Sequence, residues 1–373
     1  MDNRQYRWSA VQTLLFCGVV SVMATMAAIN VRSFHSPPHV ALVDGSFAKA
    51  FETHYDDVFP LKRLGVNLWA ALDYTFFGEG LPGVVIGRQN WLYTDEEFNV
   101  GEDYELNIRT NLALITAIKR KLAARNVTLV IGVVPAKAQI YREFVAGRKQ
   151  AGAFVHLYDV LLASVRAAGI PTVDLRSTLT DGKRRQLTYF RTDTHWTPWG
   201  ADLAAIEIAN VARDTGLLRS SGPMYATRRQ AVRTYRGDLL SFLPLEPLFG
   251  NLLPPPETLS VMKTEAVTSQ NAGPHSSASD LFGDTGIPDI VLIGTSYSAN
   301  TRWNFPGYLK EALGKDIANY AREGMGPFRP MLAYLASEDF QREPPRLVIW
   351  EIPERALVIG AGLGQPAGVL EGP

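Results

Sequence analysis

The stretch Asp289-Ile290-Val291-Leu292-Ile293-Gly294-Thr295-Ser296-Tyr297-Ser298 decides how this chain is read. Ile290 to Ile293 is an unbroken apolar run that stops at a glycine. Such a run reads as a strand buried on both faces, the pattern of a parallel sheet. The residues after it read as a helix over 297–313. A serine between strand and helix lies at the carboxyl edge of the sheet, where open α/β folds place their sites. Gly294 leaves room for a sharp turn, and a helix N-terminus offers unpaired N–H groups to negative charge. These features suit a serine nucleophile whose own N–H helps hold an oxyanion. The alternative is that Thr295 or Ser296 simply caps the helix.

Outward from this stretch, the α/β alternation continues on both sides. Upstream, Ile108, Leu112, Ile115, Ile118 and Leu122 recur at helical spacing, so 106–125 is an amphipathic helix. The run 127–134 (VTLVIGVV) is a doubly buried strand. A helix over 155–168, a short strand over 171–175 and a strand candidate over 187–190 follow. Thr197-Pro198 reads as N-cap and first-turn proline of a helix over 198–215. Downstream, a strand over 315–320, a helix over 327–338 and a last strand over 347–352 (LVIWEI) complete a parallel sheet covered on both faces. Val84-Val85-Ile86 and Trp91-Leu92-Tyr93 read as a hairpin, within an otherwise irregular approach segment over 33–100. Residues 219–286 lack strong periodicity and read as an insertion, a lid or a substrate-contacting subdomain, with a disordered loop the alternative for its second half. The catalytic domain is thus expected over 101–355, with a tail over 356–373.

The remaining arithmetic bounds the partners. The 373 residues carry 37 Lys+Arg and 37 Asp+Glu, and this zero net charge argues against a nucleic-acid partner held by bulk electrostatics. Mean hydropathy of −0.02 excludes a polytopic membrane protein. Charge is absent between Arg7 and Arg32, though, and that segment is long enough to span a bilayer. Arg4 and Arg7 before it favour a cytoplasmic N-terminus, with the rest of the chain outside. A cleaved signal peptide is the rival reading, and it leaves the mature chain in the same compartment. The one cysteine, Cys17, falls inside this segment, so the exported part has neither a disulfide nor a thiol nucleophile.

The second chemical signal is Arg191-Thr192-Asp193-Thr194-His195-Trp196. Asp193 and His195 are two apart, so on extended backbone their side chains point the same way. A serine hydroxyl needs a base to accept its proton, and a carboxylate orients and stabilises the histidine that does so. The alternative is a structural histidine packed against tryptophan. Trp196 and Trp199 would shield the site or offer a flat face to a sugar. Lys137, just after the strand 127–134, is either a sheet-edge substrate contact or a surface lysine. No His-x-His or His-Glu-x-x-His pair suggests a metal, and no phosphate loop or cofactor motif is visible.

Gly294-Thr295-Ser296 resembles the serine motif of the SGNH (GDSL-like) hydrolases, with Thr in place of Asp. Here Asp193 and His195 precede the serine. That order is similar to the bacterial exopolysaccharide O-acetyltransferases of the alginate AlgJ/AlgX type, whose SGNH-like domain is circularly permuted; related proteins act in cellulose acetylation. Asp193-Thr194-His195-Trp196-Thr197-Pro198 and Gly294-Thr295-Ser296-Tyr297-Ser298 carry the likeness. Trp91-Leu92-Tyr93, Val134-Pro135-Ala136-Lys137 and Trp350-Glu351-Ile352-Pro353-Glu354-Arg355 support it. The resemblance implies an α/β three-layer sandwich with a parallel sheet, and Ser296, His195 and Asp193 as nucleophile, base and orienting acid. It also implies an oxyanion hole with a Gly and an Asn, for which Asn319, Arg322, Gly324, Gly326 and the neighbouring Tyr297 are candidates. It further implies a polysaccharide substrate, a membrane-bound O-acyltransferase as acetyl donor, other synthesis and secretion proteins as partners, and a periplasmic domain anchored to the inner membrane. An N-terminal anchor with no C-terminal carbohydrate-binding module is closer to the AlgJ pattern.

Three functions remain open at this level: transfer of acetyl to a polysaccharide, hydrolysis by the same triad, or non-catalytic binding of polysaccharide. For the polymer, Arg184, Arg185, Arg228, Arg229 and Arg233 would suit a polyuronate, and Trp196, Trp199 and Trp303 a neutral glucan such as cellulose.

Overall fold

A computed structural model describes residues 3–38, 41–59, 62–99, 101–146, 156–217, 224–267 and 288–361. The chain forms two compact units, one of residues 1–81 with 243–253 and one of residues 82–242 with 254–373.

In the first unit, helix α1 (Asn3–Val31) contains an apolar window, Val11–Ile29, of mean hydropathy 1.8. Nineteen residues rising 1.5 Å each extend about 28 Å, close to the hydrocarbon thickness of a bilayer. The segment expected to be irregular, 33–100, instead holds two helices, α2 (Ser46–Val58) and α3 (Lys62–Leu72). An aromatic cluster seats α2, with the Phe34 and Phe51 rings edge to face at 5.4 Å. Helix α3 runs on into a π-helical turn, Asp73–Phe77, closed by Gly78 in the left-handed region. Periodicity concealed α3 because its inward residues are Asn67 and Ala71, not large apolar ones. The Asn67 amide donates to the carbonyl of Pro244.

The second unit opens with the expected hairpin, β1 (Val84–Ile86) antiparallel to β2 (Leu92–Thr94). Gln89 and Asn90 both take positive φ, as its tight turn requires. Then come α4 (Tyr104–Ala123), β3 (Thr128–Val134), α5 (Leu157–Ala167), β4 (Thr172–Val173), α6 (Leu175–Gly182) and α7 (Pro198–Asp214). Strands β5 (Tyr225–Tyr235) and β6 (Glu257–Ala266) pair with each other alone. Strand β7 (Ile290–Ile293), α8 (Phe305–Leu313), β8 (Ala318–Asn319), α9 (Phe328–Ala336) and β9 (Leu347–Pro353) complete the unit.

Five strands form one parallel sheet in the order β4-β3-β9-β7-β8. Strand alternation divides its apolar residues into two cores. Val130, Leu292 and Ile349 face one core with the alanine-rich side of α7. Ile131, Val291 and Trp350 face the other, under α4, α5 and α9. Helix α7 lies close because Gly132 has no side chain; a Cβ there would stand 2.5 Å from Ile208. Thr197 caps α7 by accepting the Gly200 N–H, with Pro198 in the first turn, as its sequence signals.

Four expected elements differ. Residues 187–190 form no sheet strand; only a bridge between Tyr189 and Trp196 is made. Its backbone is held by side chains, among them the Tyr141 hydroxyl accepting the Thr188 N–H. Residues 224–267, within the stretch read as an insertion of no assigned secondary structure, contain the β5–β6 ribbon. Its strands are largely solvent-exposed, so they lack the apolar alternation that marks a strand. The second half of that stretch, 268–287, lies outside the described residues. The helix expected over 297–313 breaks into Ser296–Ala299, a 3-10 turn Thr301–Trp303, and α8, because Asn304 takes positive φ before Pro306. The strand expected over 315–320 shrinks to Ala318–Asn319.

Candidate active site

Ser296 follows β7 at the sheet's carboxyl edge. The turn that carries it is fixed from beneath by Glu351, a fully buried carboxylate on the neighbouring strand β9. Glu351 accepts the Thr295 N–H at 2.7 Å, the Thr295 hydroxyl at 3.0 Å and the Ser298 hydroxyl at 3.0 Å. Burial raises its carboxyl above the ordinary range, and these hydrogen bonds oppose the rise. Gly294 is required by this packing, since a Cβ would stand 2.4 Å from the Glu351 carboxylate.

His195 arrives from the loop before α7. Its Nε2 lies 2.6 Å from Ser296 Oγ, and its Nδ1 lies 2.7 Å from Asp193 Oδ1. The Asp193 carboxylate is acceptor-only, so Nδ1 carries the proton and Nε2 is free to take one from the serine. The same Oδ1 accepts the His195 N–H at 2.8 Å. Oδ2 accepts the Tyr235 hydroxyl and, at 2.9 Å, the Asp238 N–H. Burial pushes the Asp193 carboxyl upward, but the bonds and charge of His195 and the Tyr235 hydroxyl outweigh it and bring it down to about 2. The imidazole stacks on Trp303, with ring centroids 5.2 Å apart, and tilts against Tyr297.

The ribbon does much of this positioning. Tyr235 ends β5, and Asp238 follows it. Asp238 accepts the Thr194 N–H at 2.8 Å, and its second oxygen lies 3.7 Å from His195 Nδ1. Burial and the nearby Asp193 charge raise the Asp238 carboxyl. Glu257, at the start of β6, accepts the N–H groups of Arg191 and Thr192. Gly237 passes so close to the Thr192 carbonyl that a Cβ would be 2.1 Å away. None of these residues was singled out from sequence.

Lys137 is neither the substrate contact nor the surface lysine that its sequence position suggested. It is fully buried, and its ammonium donates to the carbonyls of Phe190, Arg191 and Asp193 at 3.1, 3.2 and 2.6 Å. Its own N–H is accepted by the buried Glu97. Burial lowers the Lys137 amine to about 8, although the carboxylates of Glu97 and Asp193 pull it back up. Trp196 and Trp303 are also buried and offer no open face to a sugar. Trp196 instead packs against Tyr297 and Phe305. Trp199 stays half-buried under Arg185.

A cavity of about 380 Å³ opens beside Ser296, bounded by Gly324, Met325, Phe328, Arg329 and Arg355. Gly324 and Gly326 both take positive φ in the loop that forms one wall. The Arg322 N–H donates to the Gly294 carbonyl, tying that loop to the serine turn. Asn319 donates its amide to the Ser298 carbonyl. Tyr297 is buried; its hydroxyl donates to the Thr194 carbonyl and accepts from Arg355. Of the oxyanion and substrate candidates, then, Gly324 and Gly326 border the cavity, while Asn319, Arg322 and Tyr297 make structural bonds around it. Asp193, His195 and Asp238 also place three ligand-type atoms within 4.8 Å of one another. Both imidazole nitrogens already hold hydrogen bonds, so a metal there would have to displace one.

Residues 84–354 match the family model described as the SGNH hydrolase-like domain of acetyltransferase AlgX. The chain belongs to the AlgX family of SGNH hydrolase-like acetyltransferases. Among relatives of this family, the probable alginate O-acetylase AlgJ of Pseudomonas aeruginosa is 47% identical over 351 residues, covering 94% of this chain and 90% of the relative. The AlgJ of Azotobacter vinelandii is 44% identical over 350 residues, covering 94% and 89%. The solved O-acetyltransferase domain of Pseudomonas putida AlgJ superposes with a TM-score of 0.69 at 39% identity, covering 77% of this chain and 97% of that one. Pseudomonas aeruginosa AlgX superposes at 0.56 with 27% identity, covering 74% and 66%. The expected AlgJ/AlgX-type fold, an α/β SGNH-like domain built on a parallel sheet, is thus the one observed.

Proposed function

We propose that this acetyltransferase moves acetyl groups onto hydroxyls of alginate, with Ser296 as nucleophile, His195 as base and Asp193 as the acid that orients it. The observation that carries the roles is the unbroken relay Ser296 Oγ, His195 Nε2, His195 Nδ1 and Asp193 Oδ1, with links of 2.6 and 2.7 Å. His195 takes the Ser296 proton as Oγ attacks the donor's acyl carbon. The Ser296 N–H, first in its helical turn and without an intrahelical acceptor, faces the developing oxyanion with the Gly324 loop alongside. The donor's leaving group takes the proton from His195, and an acetyl-serine remains. A sugar hydroxyl then gives its proton to His195 and attacks the acetyl carbon, and Ser296 leaves as the free hydroxyl. The chain order, with Asp193 and His195 before Ser296, supports the circularly permuted form of the SGNH fold.

Alginate is the polymer named for the relatives. Arg329 at the cavity favours its carboxylates over a neutral glucan, while Arg355 there is ion-paired with Glu96 at 2.9 Å. Helix α1 supports an anchored domain on the periplasmic side of the inner membrane, near a membrane-bound O-acyltransferase that supplies acetyl, together with the other synthesis and secretion proteins. The test is to supply an activated acetyl ester with alginate or cellulose oligosaccharides and to analyse the products. Acetylated alginate, lost in Ser296→Ala, is expected. Free acetate as the sole product, or equal activity in Ser296→Ala, would overturn the reading.

A further inference from the structure

Helix α3 is turned the wrong way round for a water-soluble protein. It points Asn67 and Ala71 inward and large apolar residues outward. Trp69 is 66% exposed, Phe76 74% and Phe77 70%, and Leu68, Leu72 and Leu81 are exposed beside them. From Leu64 to Leu72 there is no charged side chain. A cleft of about 340 Å³, lined mainly by apolar residues of the same unit such as Val66, Trp69 and Leu81, opens on this helix. Monomeric proteins rarely leave so continuous an apolar face to water.

We propose that this face, from α3 through Phe77, lies in the headgroup region of a phospholipid bilayer. Three observations select lipid over a protein partner. The face presents Trp69, Phe76 and Phe77; Trp concentrates where hydrocarbon meets water, and Trp, Phe and Leu form the apolar side of interfacial helices. Lys62 and Arg63 precede the apolar run 64–72, and the acidic residues Asp73 and Glu79, which line the cleft, flank Phe76 and Phe77. That leaves a cation at headgroup level while the apolar side enters the acyl boundary, the pattern of a helix lying in the interface plane. Finally, α3 shares a compact unit with α1, whose window Val11–Ile29 is long enough to cross the bilayer. The proposal rests on the reading of α1 as an uncleaved span. A span alone leaves the exported part free to swing on its tether. The second contact would hold residues 62–77, and the chain that continues from them into the catalytic unit, close to the membrane surface.

The experiment uses the full chain in phosphatidylcholine–phosphatidylglycerol vesicles, with Cys17→Ser removing the native thiol. Single cysteines at Trp69→Cys, Phe76→Cys, Val20→Cys and Glu102→Cys carry an environment-sensitive fluorophore, and spin-labelled lipids act as quenchers at defined depths. The expected result is deep quenching at 20, shallow headgroup-level quenching several-fold above the Glu102 control at 69 and 76, and none at 102. Quenching at 20 with none at 69 and 76 overturns the interfacial contact and leaves the span standing. Blue-shifted emission at 69 and 76 that lipid quenchers do not reach means a protein surface covers the face, which also overturns it. Absence of quenching at 20 overturns the span reading and the proposal with it.

Discussion

Replacing Lys137 by methionine tests how the histidine loop is held. Methionine keeps the length of the side chain and removes its charge and three donors. The carbonyls of Phe190, Arg191 and Asp193 then lose a buried partner, each at a cost of about 1–3 kcal/mol. Relief from burying an ammonium offsets part of this. The net cost should be about 3–5 kcal/mol, the usual result of removing one side of a buried charged contact. At 2–4 °C per kcal/mol for a domain of this size, the melting midpoint falls by roughly 6–20 °C. The loop also carries His195, and a displacement on the order of 1 Å costs about a hundredfold in rate. Thermal denaturation and steady-state turnover of an activated acetyl ester, well below the new midpoint, measure both. A fall in kcat with little change in KM is expected. A midpoint within about 2 °C of the wild type would refute the loop-holding role; a change confined to KM would mean that Lys137 meets substrate. The pH dependence has a definite sign. Burial holds the Lys137 amine at about 8, below its unfolded value of about 10.4. Between these values the unfolded chain binds more protons, so this group makes stability rise with pH. The stability gap between wild type and Lys137→Met should therefore widen from about pH 8 to 10.4.

Other consequences are as direct. Asp193→Asn should lower kcat by roughly a thousandfold or more, because the amide holds the wrong histidine tautomer, while far-UV circular dichroism stays unchanged. The Asp193 carboxyl sits at about 2, below its unfolded value, so its stabilising contribution is complete above about pH 4 and is lost as pH falls through 2; an acid loss of activity near pH 5 that disappears in Asp193→Asn would contradict this. Gly294→Ala drives a Cβ to 2.4 Å from Glu351 and 2.9 Å from the Ser298 hydroxyl, so activity should be lost, and a crystal structure should show the serine turn displaced. Trp303→Ala removes the ring stacked on His195 and leaves a cavity, costing about 3–5 kcal/mol of stability in denaturant titration, with a fall in kcat as the imidazole gains freedom.

Much of the sheet was legible because its strands are buried on both faces. The runs 127–134 and 347–352 can be little else. The two chemical turns were legible for a related reason: Ser296 follows a doubly buried strand run, and His195 precedes the helix start signalled by Thr197-Pro198. The ribbon was not, since β5 (YATRRQAVRTY) carries arginines on exposed faces and looks like a loop. Its contribution through Tyr235, Asp238 and Glu257 exists only once the chain has folded back on the histidine loop. Lys137 was legible as a sheet-edge residue, but its burial depends on carbonyls some fifty positions away. Glu351 did leave a trace, as a lone carboxylate inside an otherwise apolar run, and a buried charge in such a run calls for partners. Helix α3 was missed because its polarity is inverted relative to a core-facing helix.

In the mechanism proposed above, an acetyl group rests covalently on Ser296 between donor and sugar. Intact-mass analysis of the full chain after a short pulse of activated acetyl ester detects this intermediate. One added acetyl group is expected, mapped by peptide fragmentation to Ser296, absent in Ser296→Ala, and discharged onto alginate oligosaccharides when these are added. Acetylation at any other residue, or transfer to the sugar with Ser296→Ala at the wild-type rate, would contradict it.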